Sequence, residues 1–230
     1  MSSKKRKLEI IMAVLLVGIA YIFAKNSAFL STGAKASEKK TVVFIDAGHG
    51  GIDPGKVGVN NLLEKDINLS IAKQLKKLLE KKDIQVIMSR EEDTGLYDEN
   101  SNNKKVEDMR KRCEMIKESE ADFVVSIHQN SYHEEPVKGA QVFYYEHSKE
   151  GKELAEILQE KLRENIDKDN KREAKANSSY YLLKKTDCPT VIVECGFLSN
   201  WKEAESLGTK EYQKKMAKAI CEGILDYINK

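Results

Sequence analysis

The sequence predicts an α/β fold in which one sheet is sandwiched between helices, and three observations carry that expectation. Five short apolar runs have strand length: Thr41 to Ala47 (TVVFIDA), Ile84 to Ser89, Phe123 to His128, Ala140 to Tyr145 and Thr190 to Cys195. Several are apolar nearly throughout, as strands are when both faces are covered. Between them lie stretches with helical patterning, at about 63 to 82, 104 to 119, 149 to 165 and 210 to 228. The first shows it through Ile67, Ile71, Leu75 and Leu78, which recur at intervals of three and four. Such alternation of strand and helix is the pattern of a layered α/β domain. No internal repeat and no appended binding module is found, so targeting is expected from the N-terminus or from another protein.

A chain of 230 residues with 40% hydrophobic and 33% charged residues, 3 Pro and 13 Gly is neither disordered nor collagen-like. Its formal charge of +2 is unevenly placed. Residues 1–36 contain Lys4, Lys5, Arg6, Lys7, Lys25 and Lys35 against Glu9, leaving 33 basic and 36 acidic residues, a net of −3, for the remainder. That body lacks the global field of a non-specific nucleic-acid binder, and no nucleic-acid partner is expected.

The basic cluster precedes Ile10 to Ala24, fifteen residues without a charge. This falls short of the ~20 residues that comfortably span a bilayer and fits a signal-peptide core. Ala34-Lys35-Ala36 offers a small-x-small cleavage pattern, but well beyond the apolar run. Residues 1–25 are therefore read as a signal peptide or a membrane anchor, 26–40 as a tether, and 41–230 as the folded body. The body is expected outside the cytoplasm, secreted or held at the outer face of the membrane, with membrane contact through the N-terminal segment if it is not cleaved. Cys113, Cys188, Cys195 and Cys221 are widely spaced, without a CxxC pair, and read as small buried apolar residues, with one disulfide among them left open.

Chemistry-bearing residues gather where the expected strands end, which is where open α/β sheets collect ligands. His49 follows the first strand in Asp46-Ala47-Gly48-His49-Gly50-Gly51, a loop whose glycines allow a sharp turn and close approach. Glu64 opens the first long helix, His128 ends the central strand in Ser126-Ile127-His128-Gln129-Asn130, and Glu194 lies near the end of the last strand. Singly, each has an ordinary explanation as a capped core histidine or a helix-dipole carboxylate. Together, two imidazoles and one carboxylate leave a fourth position open on zinc, the arrangement of a catalytic site, with Glu194 left to move protons. His133 and His147 sit in polar contexts and read as exposed side chains without a role. Asp46 or Asn130 is a candidate to orient a ligand, with strand-end capping the equal alternative. Arg90 and Arg112 are candidates for substrate carboxylates, although a solvated face is the commoner outcome.

These motifs, with Glu194-Cys195-Gly196-Phe197-Leu198-Ser199-Asn200, resemble the zinc-dependent N-acetylmuramoyl-L-alanine amidases of the amidase-3 type over about residues 41 to 230. The resemblance implies one Zn²⁺ held by His49, Glu64 and His128, and Glu194 as the catalytic carboxylate. It also implies a twisted, mostly parallel or mixed sheet of about six strands with helices on both faces. The expected substrate is peptidoglycan, cut at the amide between the lactyl group of N-acetylmuramic acid and L-alanine. A short exported body without wall-binding repeats is similar to the germination-specific enzymes of spore formers, which implies a role in muramic-δ-lactam formation in spore cortex. The chain departs from the family pattern at Gln129, Cys195 and Lys117, where Ala, Thr and Asn are usual, which bears on substrate preference and zinc affinity.

Two other readings stay open at this point. One is another zinc peptidase of the wall, such as a carboxypeptidase. The other is a zinc-holding interaction protein whose hydrolysis is lost or depends on an activating or targeting partner.

Overall fold

The computed structural model describes residues 5–7, 11–19, 21 and 40–230, and the chain divides into two units, Met1–Lys40 and Thr41–Lys230. In the first unit residues 5–7, 11–19 and 21 are helical and Lys40 is not. Among the described residues no helix is long and apolar enough to cross a membrane. The basic cluster and the apolar run are described only in part, and the cleavage pattern at 34–36 and residues 26–39 of the expected tether lie outside the described residues.

The second unit is one α/β domain built on a six-stranded mixed sheet of order β2-β1-β3-β6-β4-β5. The strands are β1 (Val42–Ala47), β2 (Gln85–Met88), β3 (Phe123–Asn130), β4 (Gln141–Tyr145), β5 (Lys175–Asn177) and β6 (Thr190–Phe197). The helices are α1 (Glu64–Glu80), α2 (Lys104–Glu118), α3 (Lys149–Asn165), α4 (Tyr181–Lys185), α5 (Trp201–Leu207) and α6 (Lys210–Ile228). β1 pairs in parallel with β2 and β3, and β3 with β6, whereas β4 runs antiparallel to β6. The chain steps from β1 outward to β2 and then crosses back to β3 on the other side of β1. That reversal opens a crevice at the carboxyl ends of β1 and β3.

Alternation within the strands assigns the two faces. Val43, Ile45 and Ala47 of β1, Val125 and Ile127 of β3, and Val191, Val193 and Cys195 of β6 enter the main core with Ile71, Leu75, Leu154, Leu158 and Ile220 of α1, α3 and α6. Phe44 and Val124 point the other way and pack against Ile116 of α2 and Leu182 of α4. Two further steps along these rows, the apolar side chains give way to Asp46 on β1 and Ser126 on β3, and Ile192 to Glu194 on β6. The same sheet face is thus apolar where the strands begin and polar where they end.

Helix starts follow local capping chemistry. Asn103, Ser148, Asn200 and Thr209 each accept a hydrogen bond from a backbone N–H in the first turn of α2, α3, α5 and α6. α1 has no side-chain cap at Leu63, and Glu64 and Asp66 supply negative charge to its first turn instead. Strands and long helices agree with the sequence reading to within a residue or two. β5, α4 and α5 are additions to it. All four cysteines are free thiols, Cys195 and Cys221 buried and Cys113 and Cys188 half-buried.

Candidate metal centre

His49 leaves β1 in a left-handed backbone conformation, φ 62°, which is uncommon for a residue with a side chain and persists only when its surroundings enforce it. Two buried arginines do so. Arg112 donates to the carbonyls of Ala47 at 2.9 Å and His49 at 2.7 Å. Arg90 donates to the carbonyls of Ala47 at 3.0 Å and Gly48 at 3.1 Å. The turn points consecutive carbonyls inward, and each needs a donor once buried. Neither arginine meets the expectation of a solvated face: Arg90 is 4% and Arg112 1% exposed.

Asp46 belongs to this brace. It pairs with Arg112 and accepts from Ser126 Oγ at 2.6 Å. Burial alone would raise its carboxyl, but the Arg112 charge and the Ser126 hydrogen bond outweigh that and bring it down to about 2. Of the alternatives raised for Asp46 and Asn130, neither side chain orients a histidine, since Asn130 Oδ1 accepts from Ser131 N at 2.7 Å. Asp53 takes that place, with Oδ2 2.9 Å from His49 Nδ1 and Oδ1 accepting from Gly55 N at 3.1 Å. The signal was a carboxylate four residues beyond His49.

His49, Glu64 and His128 converge. Glu64 Oε1 lies 3.2 Å from His49 Nε2 and 3.0 Å from His128 Nδ1. One ligand atom from each residue lies within 4.8 Å of the others. The imidazole rings meet edge to face with centroids 5.0 Å apart. Burial would raise the Glu64 carboxyl, but hydrogen bonds to His128 and His49 and their charge hold it well below the usual carboxylate range. Burial likewise lowers His128, and Glu64 more than reverses this, pushing the imidazole up to about 9.

The donor set fits a zinc ion. Two imidazole nitrogens and one carboxylate oxygen are the ligands of an open catalytic centre, with one position left free. Glycines make the necessary room: a Cβ on Gly48 would lie 2.3 Å from the His128 ring, and one on Gly55 2.6 Å from Glu64 Oε2.

Glu194 shares a cavity of about 180 Å³ with His49 and His128, walled also by Lys105, Tyr180 and Ile192. Its Oε2 is buried without a hydrogen-bond partner among the described residues. Burial pushes the carboxyl up to about 7, the nearby Glu64 charge adding to the rise and His128 opposing it. A buried carboxylate with a free oxygen beside two histidines is equipped to exchange a proton. His133 and His147 lie exposed at the surface.

The family model for N-acetylmuramoyl-L-alanine amidase (amidase-3) matches residues 43–226. The chain belongs to this amidase family. The germination-specific N-acetylmuramoyl-L-alanine amidase of Bacillus subtilis is 38% identical over 217 residues, 93% of this chain and 90% of that protein. Among solved structures, the CwlD amidase from Clostridioides difficile in complex with the GerS lipoprotein superposes with a TM-score of 0.81 at 42% identity, covering 83% of this chain and 99% of that one. AmiC2 of Nostoc punctiforme, also an N-acetylmuramoyl-L-alanine amidase, gives 0.72 at 34% identity over 83% of this chain and 98% of its own. As a member of the N-acetylmuramoyl-L-alanine amidase family, the protein is an amidase of peptidoglycan.

Proposed function

We propose that the protein is a zinc-dependent amidase that hydrolyses the bond between the lactyl carbonyl of N-acetylmuramic acid and the nitrogen of L-alanine. His49, Glu64 and His128 would hold the ion and Glu194 would be the catalytic carboxylate. The observation that carries this reading is the orphaned Glu194 Oε2 beside a neighbouring cleft that Glu194 lines together with His49, Glu64 and His128, the convergent two-histidine, one-carboxylate cluster. Zinc bound there supplies a Lewis acid for the carbonyl oxygen and raises the acidity of water from a pKa of 15.7 to about 7.

The chain's own residues do the rest. Asp53 holds the His49 ring by its other nitrogen and so fixes the face it presents. Glu194 takes a proton from the attacking water and passes it to the departing alanine nitrogen, base first and acid second. Its burial favours the protonated form it adopts midway, so it accepts the proton with less penalty than an exposed carboxylate would. The products are a lactyl carboxylate and a peptide with a free L-alanine amine.

The likeness to the germination-specific enzyme of B. subtilis supports a role in spore cortex maturation, with muramic-δ-lactam formation following peptide removal. For residues 1–25 we retain the signal peptide or anchor, for 26–40 the tether, and for the body a place outside the cytoplasm. The relative solved with the GerS lipoprotein supports testing a lipoprotein partner here as well.

Mass spectrometry of peptidoglycan digested by the purified protein tests the reaction. Peptide-free muramic acid together with peptides beginning at L-alanine is the expected result, whereas shortened peptides still attached to muramic acid would reassign the enzyme as a peptidase. Metal analysis of the same preparation is expected to find one zinc per chain. Comparing activity with and without added membrane extract tests the partner, which full activity of the protein alone would remove.

A further inference from the structure

The Glu64 carboxylate is gripped at both oxygens from three directions. Lys56 N donates to Oε2 at 2.8 Å, and Gln129 N donates to Oε1 at 3.0 Å. The third grip comes from Asn68, one turn further along α1 on the same helix face, whose Nδ2 reaches Glu64 Oε1 at 3.3 Å and the carbonyl of Gly48 at 3.1 Å. Asn68 is in turn held by Gln129, whose Nε2 donates to Asn68 Oδ1 at 3.0 Å. Two amides thus connect the helix carrying Glu64, the loop before His49 and the strand carrying His128.

This polar pair is buried where packing alone would favour hydrocarbon. Asn68 is 0% and Gln129 3% exposed. Asn68 lies along α1 between Ile67 and Ile71, which enter the main core. Gln129 stays in place although its Oε1 is buried without a hydrogen-bond partner. Burying amides that are not fully satisfied costs stability, so a purely structural site would be better filled by aliphatic side chains.

We propose that Asn68 and Gln129 form a positioning unit that sets the orientation of Glu64 and thereby the affinity of the site for its metal. The inference rests on the reading of His49, Glu64 and His128 as zinc ligands and adds a function for two residues outside that set. Asn68 acts directly on the carboxylate, and the Gln129 side chain acts through Asn68.

The test measures zinc affinity of the full-length, metal-stripped protein by chelator competition, with no dependence on hydrolysis. Asn68→Ala is expected to weaken zinc binding roughly 10- to 100-fold, the usual effect of removing a group that orients a ligand. Gln129→Ala is expected to weaken it less, and the double variant to be no weaker than Asn68→Ala alone, because the two changes remove one chain of contacts. In the cobalt-substituted protein, Asn68→Ala should shift the visible ligand-field bands. Leu158→Ala, which opens the core beneath α3, should lower the melting temperature while leaving zinc affinity and the cobalt spectrum unmoved.

Unchanged zinc affinity and cobalt spectrum in Asn68→Ala would overturn the proposal, as would independent, additive losses from the two substitutions. If Asn68→Ala does not fold, Gln129→Ala decides alone, since its backbone N–H still serves Glu64, and unchanged zinc affinity there overturns the proposal equally. His49→Ala is the separate control: if it leaves zinc binding intact, it is the assignment of the ligands that fails.

Discussion

Glu194 and His128 are register partners in the parallel β3–β6 ladder, so the carboxyl and the imidazole emerge from the same face of the sheet on adjacent strands. Neighbouring strands therefore carry one expected metal ligand and one expected proton carrier, in an order that loop movement does not alter.

Glu194→Gln keeps the shape of the side chain and removes its capacity to accept a proton. It should retain zinc and lose about 10²- to 10⁴-fold in kcat. The wild-type profile should fall on the acid side, since the base must be ionised. The metal-free site pushes this carboxyl from 4.5 up to about 7, and a bound cation draws it back down. The acid limb of kcat/KM therefore belongs between those two values, and steady-state kinetics across that range locates it.

Gly48→Ala introduces a methyl group into space occupied by the His128 ring. Because that ring is fixed by Glu64, the clash displaces a ligand. Zinc affinity should fall at least about tenfold with the far-ultraviolet circular dichroism unchanged. Retained affinity would mean that the ring has freedom its contacts do not suggest.

Metal uptake should release a proton at neutral pH. In the metal-free protein His128 is held protonated by Glu64, with its pKa pushed up to about 9, and coordination requires the neutral ring. Titration calorimetry in buffers of different ionisation enthalpy should report at least one proton released per zinc at pH 7.5, the first from His128 and any excess from ionised bound water. Affinity should weaken as pH falls further below 9.

The Asp46–Arg112 pair should govern acid stability. The Asp46 carboxyl lies at about 2 in the folded chain against 3.8 ordinarily. Its contribution is therefore complete above 3.8 and lost as pH falls from there through 2. At ~1.4 kcal/mol per unit this is about 2 kcal/mol, measurable by denaturant titration across that window. Arg112→Met should cost more, about 3–5 kcal/mol at pH 7, because it strands a buried carboxylate.

The long elements were legible because their patterning is strong: both-face burial in β1, β3 and β6, and apolar spacing in α1. β5, α4 and α5 were not, since segments of three, five and seven residues are too short for periodicity to register. His49, Glu64, His128 and Glu194 were all selected as strand-end or helix-start groups, and the structure places all four on the walls of one cleft. Their supports were harder to find. Apart from Asp108 one turn earlier, nothing local to Arg112 reveals that it is drawn inward, because Asp46 and the carbonyls of Ala47 and His49 come from β1 and the loop after it. Asn68 was not singled out in the sequence, because apart from Glu64 its partners, Gly48 and Gln129, lie on a loop and a strand far away in the chain.

The placement of His49 and His128 just beyond the paired residues Ala47 and Ile127 of β1 and β3 has an evolutionary consequence. Adjacent strands keep a separation of about 4.8 Å whatever their side chains, so the ladder fixes His128 and the start of the braced turn that carries His49. The segment bearing Tyr180, which walls the cavity but carries none of the groups that brace His49, is free to lengthen, shorten or change charge without moving the reactive centre. Descendants of such a scaffold could trade one wall polymer for another through their loops while the hydrolytic machinery stays the same.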